Sequence, residues 1–450
     1  MTRNIGTFSS LSKNQKEATC LLSIGTFLEY FDLMLYVHMA ILLNELFFPK
    51  TDPDTAALVQ AFSFCTTFIF RPIGAWMFGW IGDHVGRKSI VIVTTVMMAL
   101  SCVAMANLPT YAQIGIAASW GITICRIIQG ISSMGELIGA QLYLTEITRP
   151  PVQYPIVGIV AISSVIGSVC ALFIANTVLN FGLEWRIAFW IGAMIALVGA
   201  MARTALRETP EFSDAKRRLK HVYDETETSD QKLKYNKIVN EKSSKKTLLY
   251  LFAMYCEWPI CFYFVFIYCS NLLRNNFGYS IQDIIQHNLC LSLVQLLATS
   301  FVVFLSYKIH PLKIVKTRVI IFIMFILISP YLLNKVQTVP GLFIIQTLTL
   351  AFAAIITPAC PIFFKHLPVF KRFTYSAFMY ALSRALVYVM TSFGMVYLTK
   401  YFGNYGFLVI ALPISIVCYF SICHFQNKEQ KDENLLYDNL DCNVEAKVVF

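Results

Sequence analysis

The strongest constraint on the fold is a series of twelve apolar stretches, each long enough to cross a lipid bilayer. About 20 consecutive apolar residues span the hydrocarbon core, and stretches this long and this apolar satisfy their backbone hydrogen bonds there only as helices. The predicted helices, segments 1 to 12, cover residues 18–43, 55–80, 89–107, 112–141, 154–180, 187–205, 247–272, 284–306, 317–334, 340–363, 374–399 and 405–424. The sequence therefore predicts an all-α membrane protein with twelve transmembrane helices.

The composition supports a membrane protein, and the distribution of Lys and Arg predicts its orientation. Hydrophobic residues make up 57% of the chain and charged residues 14%, whereas soluble domains are about 25% charged. Of the 36 Lys and Arg residues, 28 lie in the two tails and the loops on their side of the membrane, and five lie in the opposite loops. Because positive charge accumulates on the cytoplasmic side, both termini are predicted to be cytoplasmic. The net charge of +10 is then a topology signal, and nucleic acid is not an expected partner.

A basic, hydrophilic loop divides the predicted helices into two groups of six. The predicted organisation is a cytoplasmic N-tail at 1–17, an N-terminal six-helix bundle at 18–205, a cytoplasmic central loop at 206–246, a C-terminal six-helix bundle at 247–424 and a cytoplasmic C-tail at 425–450. The 13 cysteines lack the spacing of metal ligands, so neither a metal nor another cofactor is expected. The chain also has no nucleophile elbow or phosphate loop, and we predict that it is not an enzyme.

Ionisable residues inside the predicted spans are the candidates for function. A charged side chain near the bilayer centre costs at least about 2.5–3.5 kcal/mol on insertion scales, so it needs a partner or a water-filled cavity. The spans hold Glu29 and Asp32 in segment 1, Arg71 in segment 2, Arg126 and Glu136 in segment 4, Glu257 in segment 7 and Arg384 in segment 11. The alternative to a functional role is a set of static ion pairs that hold the helices together.

Helical spacing places several of these residues on shared faces. Segment 1 has Glu29, Asp32 and Tyr36 on one face; segment 4 has the stripe Arg126, Gln129, Ser133 and Glu136; segment 11 has Tyr380, Arg384, Tyr388 and Thr391. Two acids three residues apart repel each other, so one of them can hold a proton near neutral pH. A carboxylate that gains and loses a proton is what a proton-coupled carrier requires.

A short loop between segments 2 and 3 has the most specific local pattern in the chain. It reads Gly82-Asp83-His-Val-Gly86-Arg87-Lys88 and joins two membrane-length stretches, so its tip must lie in water. Asp83 can accept hydrogen bonds from helix N-terminal N–H groups or pair with a cation. The alternative is an ordinary solvated turn, in which Arg87 and Lys88 only reflect the excess of positive charge on the cytoplasmic side.

The pattern G-x-x-G-D-x-x-G-R-K over residues 79–88 resembles the loop between helices 2 and 3 of the major facilitator superfamily. Further motifs are similar to those of its metabolite:proton symporter branch, which includes proline/betaine, α-ketoglutarate, citrate and shikimate transporters. They are Gly25-Thr-Phe-Leu-Glu29-Tyr-Phe-Asp32, Phe70-Arg-Pro-Ile-Gly74, Arg126-Ile-Ile-Gln-Gly130, Gly135-Glu136, Trp185-Arg186, Glu208-Thr-Pro-Glu-Phe212, Leu367-Pro368, Arg372 and Tyr380. The chain departs from the branch at Met134, where a Gly is usual, and at Ala381, where an Asn is common.

The resemblance implies the major facilitator fold, in which helices 1, 4, 7 and 10 line a central cavity. It also implies that Asp83, in the loop between segments 2 and 3, contacts the start of segment 11 when the cytoplasmic side is closed. The candidates for proton coupling and substrate contact are Glu29, Asp32, Tyr36, Arg126, Gln129, Glu136, Glu257, Tyr380 and Arg384. The candidates for gating are Arg71, Asp83, Gly86, Arg87, Lys88 and Arg372.

The expected function is proton symport of a small polar organic solute by alternating access. We expect a monomer in a bacterial inner membrane, with the solute, protons and the lipid bilayer as its partners. Because both signs of charge are expected to line the cavity, a zwitterionic osmolyte such as proline or betaine fits. Three arginines within the spans leave a proton-coupled di- or tricarboxylate carrier, for α-ketoglutarate or citrate, as the alternative. A transport-inactive solute sensor of the membrane is the alternative from another class.

Overall fold

Every regular element of the described chain is helical. The computed structural model describes residues 11–49, 53–84, 87–133, 137–203 and 243–448, and within these ranges no β-strand occurs. The predicted all-helical fold is therefore confirmed. The central loop predicted at 206–246 and the first ten residues of the N-tail lie almost entirely outside the described residues.

Nine helices form the described part of the N-terminal half, here called the N-half. They are α1 (Lys13–Phe47), α2 (Pro53–Ile69), α3 (Arg71–His84), α4 (Arg87–Asn107), α5 (Tyr111–Ile114), α6 (Ile116–Ser132), α7 (Leu137–Ile147), α8 (Gln153–Asn180) and α9 (Arg186–Arg203). Helix α1 begins before its apolar stretch because Ser12 and Gln15 form a capping box around its first turn.

Eight helices form the described part of the C-terminal half, here called the C-half. They are α10 (Lys245–Phe262), α11 (Cys269–Phe277), α12 (Ile281–Leu305), α13 (Pro311–Lys335), α14 (Val339–Phe352), α15 (Cys360–Lys365), α16 (Arg372–Phe402) and α17 (Gly406–Val448). A π-helical turn at Tyr263–Tyr268 joins α10 to α11. Helix α17 continues well past the end predicted for segment 12, so the C-tail predicted at 425–450 is helical through Val448.

Seven described helical stretches are long and apolar enough to cross a membrane. They are Lys13–Phe47, Leu58–Ile81, Gln153–Asn180, Lys245–Phe277, Ile281–Leu305, Val339–Lys365 and Arg372–Asp432. The last contains two predicted spans. Predicted spans outside this set are short or carry charge: Ile92–Asn107 and Arg186–Gly199 are shorter apolar helices, and α13 begins with two lysines and an arginine. The twelve crossings and the orientation of the termini therefore remain predictions.

Irregular backbone interrupts the helices near the centre of the bundle. Segment 10 leaves the helical conformation after Phe352 and resumes in a short 3₁₀ turn at Thr357–Ala359, which contains Pro358. Proline lacks an N–H donor and cannot continue the helical ladder. Non-helical backbone at membrane depth is tolerated where it lines a cavity or is buried in protein, so this break indicates a cavity nearby.

The N-half and the C-half approach each other closely where glycines face the opposite half. A Cβ added to Gly79 of α3 would lie 2.9 Å from the Cα of Thr374 at the start of α16. A Cβ added to Gly158 of α8 would lie 2.8 Å from a methyl carbon of Val303 on α12. Small residues allow helix backbones to approach where no hydrophobic force drives association. The contact between the halves therefore depends on these glycines.

Close helix packing also occurs within the N-half, and a substitution at Gly130 can test it. A Cβ on Gly130 of α6 would overlap the carbonyl oxygen of Thr67 on α2, and overpacking costs typically 1–3 kcal/mol. We expect Gly130→Ala to lower the melting temperature of the purified protein. Gly139→Ala is the matched control, because its Cβ would meet nothing closer than 3.7 Å and alanine favours helix. Equal melting temperatures for the two variants would contradict the packing.

Candidate functional site

A cavity of about 100 Å³ lies between the two halves at the centre of the bundle. We call it the central cavity. The N-half contributes residues of α1, α2, α3, α7 and α8, and the C-half contributes residues of α10, α12, α15, α16 and the broken part of segment 10. Its polar lining includes Tyr30, His38, Arg71, Gln141, Ser164, Ser168, Tyr255, Trp258, Ser292, Gln295, Thr299, Thr357, Tyr380, Arg384 and Tyr388. Among the described lining residues the two arginines are the only permanent charges.

Tyrosines from the two halves meet at the wall of this cavity. The hydroxyl groups of Tyr30 on α1 and Tyr380 on α16 are 3.1 Å apart, within hydrogen-bond distance. The ring of Tyr255 on α10 packs edge-on against Tyr380, with centroids 5.3 Å apart. The guanidinium carbon of Arg384 lies 3.3 Å from the centroid of the same ring. The central cavity is therefore bounded by a polar, aromatic junction between the halves.

Arg71 presents unused hydrogen-bond donors at the cavity. Its side chain is only 2% exposed, and its guanidinium carbon lies 4.5 Å from the ring centroid of Phe68. Its Nε and one Nη are buried and donate no hydrogen bond to any described residue. Because buried unsatisfied donors are costly, and because the planar guanidinium fork matches a carboxylate, this side chain can bind an anionic group that enters the cavity.

A second polar group, here called the N-half cluster, consists of Asp32, Tyr36, Cys102, Arg126 and Gln129. Arg126 donates from Nη1 to Oε1 of Gln129 at 2.9 Å, and its guanidinium carbon lies 3.7 Å from the ring centroid of Tyr36. Gln129 in turn donates to the Cys102 sulfur at 3.6 Å. The Asp32 carboxyl group interacts with the same thiol. Because the cluster joins α1, α4 and α6, it lies inside the N-half.

The position of the N-half cluster differs from the expectation that carboxylates line the cavity. Asp32 faces α4 and α9, and a Cβ on Gly192 of α9 would lie 2.8 Å from its Oδ1. The face that holds Glu29, Asp32 and Tyr36 is rotated by roughly 140° from the face of α1 that lines the cavity, at 3.6 residues per turn. Glu29 nevertheless lies within electrostatic reach of Arg71. The N-half cluster is therefore separate from the central cavity.

The remaining candidates lie apart from the central cavity or outside the described residues. Glu257 is fully buried and accepts a hydrogen bond at 3.1 Å from Ser415 on α17, so it faces into the C-half. Glu136 and Gly86 lie outside the described residues, as do the side chains of Asp83, Arg87 and Lys88. Arg372 lies 3.8 Å from Glu146 of the N-half and donates to the carbonyl of Leu367 at 3.4 Å. The roles of all these residues remain predictions.

Several residues that line the central cavity could not be found by searching the predicted spans for ionisable residues. Tyr30, Gln141, Trp258 and Gln295 are uncharged, and no spacing rule separates them from other polar residues of the spans. The break in segment 10, visible in the sequence as Pro358 and Pro361, is the signal that could have located the lining at residues 354–357.

One group of potential metal ligands occurs among the described residues, away from the cavity. Ligand atoms of His366, Glu429 and Asp432 lie within 4.8 Å of one another. The ammonium group of Lys365 is 3.2 Å from each of the two carboxylates. A cationic side chain thus already balances these acids, and the arrangement reads as an ion-pair group that joins α15 to α17.

Comparison with models of protein families identifies the family to which the chain belongs. The model of the Major Facilitator Superfamily matches residues 22–339, which is more than half of the chain. The chain belongs to the Major Facilitator Superfamily. This membership confirms the predicted family and indicates a multi-pass membrane transporter rather than an enzyme.

Similar curated proteins are bacterial transporters. The proline/betaine transporter of Salmonella typhimurium is 28% identical over 274 residues, which are 59% of this chain and 54% of that protein. The inner membrane metabolite transport protein YhjE of Escherichia coli K12 is 34% identical over 211 residues, which are 44% of this chain and 47% of that protein. The chain spans about half the length of the curated relatives it matches.

Solved transporters share the fold. The proton:xylose symporter XylE bound to 6-bromo-6-deoxy-D-glucose superposes with a TM-score of 0.71 at 14% identity, covering 92% of this chain and 95% of that chain. The human organic anion transporter MFSD10 gives a TM-score of 0.68 at 14% identity, covering 91% of this chain and 99% of that chain. At this identity the likeness concerns the fold alone.

The contact between Tyr30 and Tyr380 can be tested by a double-mutant cycle. Each Tyr→Phe change removes one hydroxyl, and a hydrogen bond contributes typically about 0.5–1.5 kcal/mol. We expect Tyr30→Phe and Tyr380→Phe to be non-additive in unfolding free energy, because either change already breaks the bond. The control pair Tyr30→Phe and Tyr388→Phe should be additive. Additivity in the first pair would contradict a hydrogen bond between the halves.

Proposed function

We propose that the chain is a secondary active transporter that couples proton movement to symport of a small zwitterionic osmolyte, such as proline or betaine, by alternating access. The observation that carries the proposal is the central cavity between the halves, with the free donors of Arg71 at its wall. The names of the relatives from Salmonella typhimurium and other bacteria support the same class of solute.

Both ends of a zwitterion find complementary groups in the central cavity. Arg71 and Arg384 line it and can hold a carboxylate. Tyr255, Trp258 and Phe262 also line it, and aromatic ring faces attract ammonium and quaternary ammonium groups. In this arrangement the arginines bind the carboxylate and the rings bind the cationic end. The aromatic rings thus replace the carboxylates that the sequence led us to expect in the cavity.

Proton coupling is assigned to the N-half cluster together with Glu29. Two carboxylates at positions 29 and 32 are at most 4% exposed, and their charge state changes the field at the arginines of the cavity. Glu29 interacts electrostatically with Arg71, and Arg126 interacts with Arg71 as well. A proton that neutralises a carboxylate would therefore alter how strongly Arg71 attracts an anionic group. Glu136 is proposed as a further member, as its motif implies.

Alternating access requires contacts between the halves that form and break on each face of the membrane. On the face near the start of α16, Arg372 of the C-half lies 3.8 Å from Glu146 of the N-half. Near the end of α1, Arg274 lies 2.9 Å from Glu45. We propose that Asp83, Gly86, Arg87 and Lys88 act with Arg372 in the first gate. Arg71, a gating candidate from the sequence, is assigned to the solute instead because it lines the central cavity. We also propose that the chain crosses the membrane with twelve helices, arranged in the predicted domains, and that both termini are cytoplasmic. It is proposed to act as a monomer in a bacterial inner membrane.

One observation favours a carboxylate carrier as the second candidate. Two arginines line the central cavity, and no Asp or Glu lines it among the described residues. A di- or tricarboxylate, such as α-ketoglutarate or citrate, would supply the missing negative charge. A solute sensor that binds without transport would present the same cavity and differs only in its lack of accumulation.

Uptake by proteoliposomes tests the function. An inward proton gradient would be imposed, with labelled proline, glycine betaine, α-ketoglutarate and citrate supplied separately, each with and without an uncoupler. We expect uncoupler-sensitive accumulation of proline or glycine betaine. Accumulation of a carboxylate alone would transfer the assignment to the second candidate. Binding without accumulation of any of the four would contradict transport.

Two neighbouring residues provide matched variants for this assay. Trp258 lines the cavity, whereas Glu257 does not. Trp258→Ala should raise the KM for the accumulated zwitterion by roughly 2- to 30-fold, the equivalent of about 0.5–2 kcal/mol for a cation–π contact. Glu257→Gln keeps the shape and the bond from Ser415 and should leave the KM within about twofold. A larger effect from Glu257→Gln would contradict the placement of the solute.

A further inference from the structure

A second cavity, of about 110 Å³, lies between the halves near the end of α1. We call it the distal cavity. Its lining comes from α1, α2, the π-helical turn, α11, α12 and α16. The polar residues of the lining are His38, Asn44, Gln60, Tyr263, Ser270, Asn271, Asn288 and Ser392. No Asp, Glu, Lys or Arg lines it within the described chain, so its chemistry differs from that of the central cavity.

The two cavities follow one another along α1. Tyr30, Met34 and His38 line the central cavity, and His38, Ile41 and Asn44 line the distal cavity. At 1.5 Å per residue, the path from Tyr30 to Asn44 is roughly 21 Å long, which is most of the thickness of a hydrocarbon core. The cavities therefore form a series along one helix.

His38 and Phe266 are shared by both linings and separate the two spaces. Their ring centroids are 5.7 Å apart, and the ring planes meet at 71°. His38 belongs to the N-half and Phe266 to the C-half, so a movement between the halves separates the rings. This pair is here called the partition.

The lining of the distal cavity suits a polar occupant. The side-chain oxygen of Asn44 is buried and accepts no hydrogen bond from the described residues. Asn288 donates to the hydroxyl of Ser270 at 3.1 Å, which holds a polar wall in place. Polar cavities of this size hold water or a ligand, whereas purely apolar ones stay empty.

An ion pair lies at the rim of the distal cavity. Glu45 follows Asn44 directly, and Arg274 lies one turn beyond Asn271 on α11. Their atoms are 2.9 Å apart, and the side chains are 51% and 40% exposed. An exposed pair of this kind contributes at most about 1 kcal/mol, so it opens easily. The contact between the halves at this end of the distal cavity is therefore weak.

We propose that the distal cavity is a second station for the transported solute, and that the partition of His38 and Phe266 separates it from the central cavity. The identity of the solute rests on the proposed function. The station takes small neutral or zwitterionic solutes through the amides of Asn44, Gln60 and Asn271. Because it offers no charged partner, binding there is weaker than beside the arginines.

Cys360 provides a reporter for the partition, because it lines the central cavity and not the distal one. A variant of the full chain that keeps Cys360 as its only cysteine would be purified and treated with a small anionic methanethiosulfonate reagent. His38→Ala should increase the rate of modification about tenfold. His38→Phe keeps the ring volume and should retain the slow rate. Phe266→Ala is a second variant that should accelerate modification, and it serves if His38→Ala does not fold.

The route through the distal cavity is tested by filling it. In the His38→Ala background, Asn44→Trp should restore the slow modification of Cys360, and on its own it should lower solute uptake about tenfold. Unchanged modification of Cys360 in His38→Ala and Phe266→Ala would overturn the partition. Wild-type uptake by Asn44→Trp would overturn the second station. The thiol measurement requires no solute, so failure of all uptake with a functioning partition would contradict the proposed function alone.

Discussion

Arg71, Arg126 and Arg384 each place a permanent positive charge in the interior of a helical bundle, where their side chains are at most 8% exposed. The cost of such burial must be offset by partners, by aromatic faces or by a polar cavity. Each guanidinium group packs on an aromatic ring, at 4.5 Å for Arg71, 3.7 Å for Arg126 and 3.3 Å for Arg384. The central cavity, with the broken helix beside it, is lined by Arg71 and Arg384, whereas Arg126 lies inside the N-half.

The separation of the arginines into two groups suggests how binding and coupling can be linked. Arg126 is held by Gln129 and Tyr36 inside the N-half, whereas Arg71 has free donors at the cavity. Arg71 interacts electrostatically with Glu29, Arg126 and Arg384. In the proposed mechanism, a change of charge at Glu29 alters how strongly Arg71 attracts an anionic group in the central cavity.

The fold could be predicted from the sequence in large part, and the site only in part. Apolar length located segment 8 at 284–306, and the helix covers Ile281–Leu305. Segment 10 was predicted as continuous, although Pro358 interrupts it. Helical spacing grouped Tyr380, Arg384, Tyr388 and Thr391 on one face of segment 11. The first three of these line the central cavity. Helical spacing shows which residues share a face of a helix, but tertiary packing decides which neighbouring element that face contacts. For this reason the sequence placed Asp32 in the cavity, whereas the structure places it against α4 and α9.

Equilibrium binding can distinguish Arg71, which we propose to hold the solute, from Arg126, which is not among the residues that line the central cavity. Labelled glycine betaine would be titrated against the purified protein and the variants Arg71→Lys and Arg126→Lys at one fixed pH. Lysine keeps the charge but loses the planar fork. We expect Arg71→Lys to weaken binding about tenfold and Arg126→Lys to change the Kd by less than about twofold. Equal weakening by both variants, or a larger loss from Arg126→Lys, would contradict this expectation.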